Sequence, residues 1–77
     1  MNQPIIRKYL DQKVIQHRNL PRDQYVLTYQ CEALDTDGNR WTFLEDVVYR
    51  DSYHSDGTVS TSMGSCKQYH WQQRLTS

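Results

Sequence analysis

Apolar and polar residues alternate along this 77-residue chain with two different periods, and the change falls near residue 20. Over residues 4–18, Ile6, Leu10, Val14 and His17 recur at three- and four-residue spacing, with Ile5 and Tyr9 beside them. Arg7, Lys8, Gln12 and Lys13 occupy the flanks, and this pattern predicts an amphipathic helix. Pro4 suits the first turn, where its missing N–H costs nothing. Asn19 can end the helix, and Leu20-Pro21 forces extended backbone after it. Four β-branched residues (Ile5, Ile6, Val14, Ile15) and the weak cap Gln3 oppose a helix, so a hairpin turning at Asp11-Gln12 is the competing reading.

From Tyr25 the period drops to two. Tyr25, Leu27, Tyr29, Cys31 and Ala33 alternate with Val26, Thr28, Gln30 and Glu32, the pattern of a half-buried strand. Asp35-Thr36-Asp37-Gly38-Asn39 reads as a turn, followed by an extended stretch from Arg40 to about Tyr53. There Trp41, Phe43, Val47 and Tyr49 share a parity with Glu45, which predicts a bulge near Glu45-Asp46. His54-Ser55-Asp56-Gly57 is a hairpin turn, and a third stretch runs from Thr58 to about Gln72 with Gly64 as a candidate bulge. The expected fold is a single small α+β domain over residues 1–77. Its N-terminal helix packs on a three-stranded antiparallel meander; the alternative is an all-β small barrel.

Composition adds that this core is aromatic rather than aliphatic. Tyr9, Tyr25, Tyr29, Trp41, Phe43, Tyr49, Tyr53, Tyr69 and Trp71 stand against only 14 Leu, Ile and Val residues. Mean hydropathy is −0.92 and net charge is zero. The zero conceals a segregation: residues 1–22 carry +4, residues 23–57 carry −6 and residues 58–77 carry +2. Balanced charge and abundant rings argue for a folded domain, since disorder pairs low hydrophobicity with high net charge. No apolar run is long enough for a membrane span, and residues 1–4 lack signal-peptide character, so a cytoplasmic location is expected. Cys31 and Cys66 are expected as small buried thiols on strands; a disulfide between them is arithmetically possible but disfavoured in a reducing compartment.

Candidate chemistry is sparse. Asp35, Asp37, Asn39 and Asp46 imitate four ligand positions of an EF-hand loop, but Arg40 occupies the place that requires glycine. His17, His54, His70, Cys31 and Cys66 lack the close spacing of structural zinc sites. Ser62-Met63-Gly64-Ser65-Cys66 near His70 lacks the flanks of a nucleophile elbow. Glu45 and Asp46, as neighbours on a strand, point to opposite faces. No motif calls for a metal or cofactor, and the chain is expected not to be an enzyme.

The last stretch is the best candidate surface. Lys67, Tyr69, Trp71 and Gln73 share one parity, while Gln68, His70, Gln72 and Arg74 share the other. The leading expectation is a small binding protein that docks on a larger protein and modulates or inhibits it through Tyr53, His54, Lys67, Tyr69, Trp71 and Arg74. Compact inhibitors encoded by phages and mobile elements are similar in size and in lack of motifs. The alternative is a single-stranded nucleic-acid-binding module using Arg7, Lys8, Lys13, Lys67, Tyr69 and Trp71. Self-association through a strand edge is a third possibility.

Overall fold

Four long strands account for most of the chain in the computed structural model, which describes residues 3–74. They are β1 (Ile6–Leu20), β2 (Gln24–Asp35), β3 (Arg40–Tyr53) and β4 (Val59–Arg74). Each hydrogen-bonds to its neighbour in chain order, all antiparallel, in an elongated body of 54 × 21 × 19 Å. The α+β expectation is overturned, because no helix occurs among the described residues. The small-barrel alternative fails too: β1 and β4 do not pair, so the sheet is open. Among the described residues no helix is long and apolar enough to cross a membrane.

The N-terminal segment is a strand for reasons its sequence partly carried. Its β-branched residues favour extended backbone, and β2 presents a ladder of backbone groups that a helix would leave unpaired. Bulges break the period of two that would have marked it as a strand. Register shifts between Ile6 and Lys8, Tyr9 and Asp11, and Val14 and Gln16 each add one residue to β1 relative to β2. Ile6, Tyr9, Gln12, Val14, His17 and Asn19 therefore share one face, opposite Asp35, Ala33, Cys31, Tyr29, Leu27 and Tyr25.

With no second layer, the sheet covers its core with its own rings. Cys31, Ala33 and Phe43 are fully buried on this aromatic face, joined by Ile6, Tyr29 and Trp71. Trp71 of β4 stacks on Phe43 with ring centroids 4.2 Å apart, and Tyr9 of β1 meets the same ring edge-on at 5.8 Å. Tyr9 thus belongs to a strand, not to the expected helix. Glu45, also buried, ties both edge strands to β3. Its carboxylate accepts from Tyr9 Oη at 3.1 Å, Gln12 Nε2 at 3.1 Å and Gln68 Nε2 at 2.8 Å. Because Glu45 is satisfied in register, the β2–β3 ladder runs through it without the expected bulge. The β3–β4 irregularities lie instead between Thr42 and Leu44, and between Val47 and Tyr49. Gly64 and Ser65 form the second of these.

Both expected turns are present. In the first, the buried Asp35 carboxylate accepts from the Asp37 and Asn39 backbone N–H groups and from Trp41 Nε1 at 2.9 Å. In the second, Asp56 accepts from the Thr58 N–H and hydroxyl, and Gly57 has φ 88°.

Candidate functional site

The register sorts the side chains into two unlike faces. The aromatic face carries Tyr9, Tyr25, Tyr29, Trp41, Phe43, Tyr49 and Trp71. The opposite face receives Lys8, Lys13 and Arg18 from β1, Arg40 and Arg50 from β3, and Lys67 and Arg74 from β4. We call it the basic face.

A single backbone irregularity decides how β4 contributes. His70 has φ 57°, a left-handed conformation unusual for a residue with a Cβ. Leu44 pairs with Tyr69 and Thr42 with Gln72, so Phe43 stands opposite both His70 and Trp71. This bulge turns Tyr69 and Trp71, two residues apart, to opposite sides. Trp71 is spent on Phe43, and its buried indole N–H has no hydrogen-bond partner among the described residues. Tyr69 sits on the basic face. Its hydroxyl donates to Asp46 at 3.0 Å, Asp46 accepts from buried Thr28 at 2.7 Å, and the Lys67 ammonium lies 5.7 Å from the Tyr69 ring centroid. Desolvation, then the Asp46 bond, raises the Tyr69 pKa.

Around these side chains the basic face is gently concave. A shallow depression of about 220 Å³ joins Lys13 of β1 to Arg74 of β4 across Gln30 and Thr42, with Asp11 and Glu32 also at its wall. A second, of about 190 Å³, adjoins it and is lined by Gln30, Leu44, His70 and Gln72. Cations from both edge strands thus flank a trough of amides, a leucine and an imidazole.

The charges on this face are used unequally. Its carboxylates are occupied: Asp11 accepts from the Gln12 N–H, Glu32 lies 3.8 Å from Arg40, and Asp46 holds Thr28 and Tyr69. Arg40–Glu32 is the sole ion pair among the described residues, and both partners are substantially exposed, so it is weak. Arg40 also stands directly opposite Arg74, a like-charge pairing that costs stability in a ladder. Lys8, Lys13, Arg18, Lys67 and Arg74 are exposed.

The expected contact residues are not one patch. Lys67, Tyr69 and Arg74 share the basic face with Lys8 and Lys13, whereas Trp71 is on the other face and Arg7 lies in a β1 bulge. Tyr53 and His54 lie at the far hairpin, with His54 Nε2 2.9 Å from Ser60 Oγ. Spanning β3 from Arg40 to Tyr53 at strand rise is about 43 Å. Arg18, Arg40, His70 and Gln72 were outside the expected sets: Arg18 and Arg40 share the basic face, while His70 and Gln72 line the trough. The bulge at His70 puts Gln72 on the same face as Tyr69, and period-two parity does not reveal bulges.

Other candidate chemistry is not assembled. Asp35 serves its turn, and Asp46 lies on the opposite face from it. Among the described residues no three His, Cys, Asp or Glu side chains gather as metal ligands. Cys31 is buried, with its pKa pushed up to about 11 by desolvation and then by Glu45; Cys66 is exposed and also raised. Both are therefore protonated and poorly nucleophilic at neutral pH. Cys66 and His70 are about 13 Å apart along the strand. Comparison with protein families, with curated proteins and with solved structures returns no match.

Proposed function

We propose that this protein binds single-stranded nucleic acid across the basic face of its open sheet. The observation that carries the reading is the unequal use of charge. Carboxylates there are engaged within the fold, while Lys8, Lys13, Arg18, Lys67 and Arg74 extend to solvent without carboxylate partners among the described residues. Unpaired cations spread along strands suit a phosphate backbone, whose neutralisation supplies most of the affinity. Tyr69 provides a ring on which an unpaired base can stack, and Gln30, Gln72 and His70 provide donors and acceptors for base edges. A shallow open trough suits a strand better than it suits a small enclosed ligand. Docking on a larger protein draws less support, because Trp71 is committed to the core and Tyr53 and His54 lie far from Arg74. Free thiols at Cys31 and Cys66 accord with a cytoplasmic setting.

The test is fluorescence anisotropy with a labelled oligothymidine, titrated with salt. If four phosphates are neutralised, log K falls against log[salt] with a slope of about −2.8. Tyr69→Ala weakens binding by about 1–3 kcal/mol, whereas Tyr69→Phe, which keeps the ring, retains it. Lys13→Glu with Arg74→Glu abolishes it. Absence of binding at low salt, or binding indifferent to those charge reversals, sinks the reading.

A further inference from the structure

The two edges of the sheet are built differently. Edge β1 has three bulges and carries Arg7, Lys8, Asp11, Lys13 and Arg18, with the Asp11 carboxylate capping the Gln12 N–H. Bulges and charges of this kind keep other strands away. Edge β4 has no charged residue and no proline from Thr58 to Cys66, and that segment is exposed. Val59 and Met63 have 54% and 67% of their surface accessible; Val59 pairs with Tyr53, itself 67% accessible, and Met63 with Tyr49.

We propose that a second copy of this chain pairs with the β4 edge, antiparallel, about a two-fold axis at Thr61. Backbone geometry supports the register. His54 N donates to Thr58 O at 2.9 Å, which makes that pair hydrogen-bonded. By the alternation of an antiparallel ladder, Val59, Thr61 and Met63 stand in non-hydrogen-bonded pairs with Tyr53, Asp51 and Tyr49. The N–H of Asp51 accordingly turns away from β4 and donates to Asp23 O at 2.9 Å. The backbone groups of Val59, Thr61 and Met63 therefore point outward, where a strand would meet them.

Side chains select the same alignment. Opposed residues must share a face, and Val59, Thr61 and Met63 are all on the aromatic face. Centring on Thr61 sets Thr61 against itself, Ser60 against Ser62, and each Val59 against the second copy's Met63. Shifting the centre to Ser60 or Ser62 breaks the apolar pairs. The favoured alignment extends an apolar row from Tyr53 and Val59 to the second copy's Met63 and Tyr49, covering the most exposed hydrophobic residues of this end. It also brings the Asp56 turn near the second copy's Lys67. The two Asp51 carboxylates stay about 14 Å apart, three strand spacings, and each accepts from its own Thr61 hydroxyl.

Sedimentation velocity over a concentration series tests this without nucleic acid. A species of twice the 9.2 kDa chain mass is expected. Thr61→Pro removes an N–H unused within the fold and weakens association at least about tenfold while circular dichroism stays unchanged. Met63→Lys, at an exposed position, does the same and decides the matter if the proline variant fails to fold. Ile15→Lys, on the other edge, leaves the dimer intact. A monomer at every concentration, persistence of the dimer in Met63→Lys, or its loss in Ile15→Lys overturns the proposal.

Discussion

Phe43 is the residue on which the most structure depends. It is 1% exposed, sits under the rings of Trp71 and Tyr9, and belongs to a core with few aliphatic side chains. Phe→Ala at a fully buried site costs about 3–5 kcal/mol, roughly the whole stability a core of this size supplies. Phe43→Ala is accordingly expected to be largely unfolded at 25 °C, with loss of near-ultraviolet circular dichroism as the measurement. A folded variant with a cooperative melt would mean that the sheet holds without its central ring. Glu45 complements Phe43 at this scale. A buried carboxylate on an aromatic face looked from sequence like a reason for a bulge, whereas three donors from two other strands make it a clasp.

Elements show why some of the fold was legible and some was not. Strand β2 and both turns were readable, because period-two alternation and Asp/Gly/Asn clusters act locally. Strand β1 was not, because its three bulges replace a spacing of two with intervals of two and three between same-face residues. The face made of Ile6, Tyr9, Gln12, Val14, His17 and Asn19 shares only Ile6, Val14 and His17 with the predicted stripe, and Leu10 falls in a bulge. The same cause hid the make-up of the basic face: parity grouped Tyr69 with Trp71, and the left-handed His70 separates them. The β1–β2 connection holds a second cost of this kind, since Arg22 and Asp23 have φ 65° and 61° without being glycine. Arg22→Gly relieves that strain, and we expect it to raise stability by about 1 kcal/mol in urea denaturation. An unchanged or lower midpoint would show that the Arg22 side chain contributes more than its backbone costs.

Across the whole molecule, ionisable groups set a broad pH window. The Trp41 N–H and the turn backbone hold Asp35 below its ordinary value of 3.8, and the Thr58 hydroxyl does the same for Asp56. Their contribution is present above 3.8 and is lost as pH falls through the lower folded values. At the alkaline side the sign reverses. Burial lifts Tyr9 from 10.0 to about 12 and Cys31 from 9.0 to about 11, and the Tyr29 hydroxyl lifts Tyr49 to about 12. The fold favours their neutral forms, so stability is full below 9.0 and declines as pH rises through about 11 to 12. Urea midpoints measured from pH 3 to pH 12 should trace a plateau with both flanks falling; a midpoint still rising above pH 10 would contradict the buried-phenol arrangement.

The bulged, charged strand β1 has a consequence for how many copies can ever join. An open sheet with two receptive edges is a bifunctional monomer, and such units polymerise into fibrils. Here one edge is blocked, so each chain has a valence of one. The proposed pairing through β4 would then use up the receptive edge, and growth would stop at a closed, two-fold pair whose outer strands are both β1.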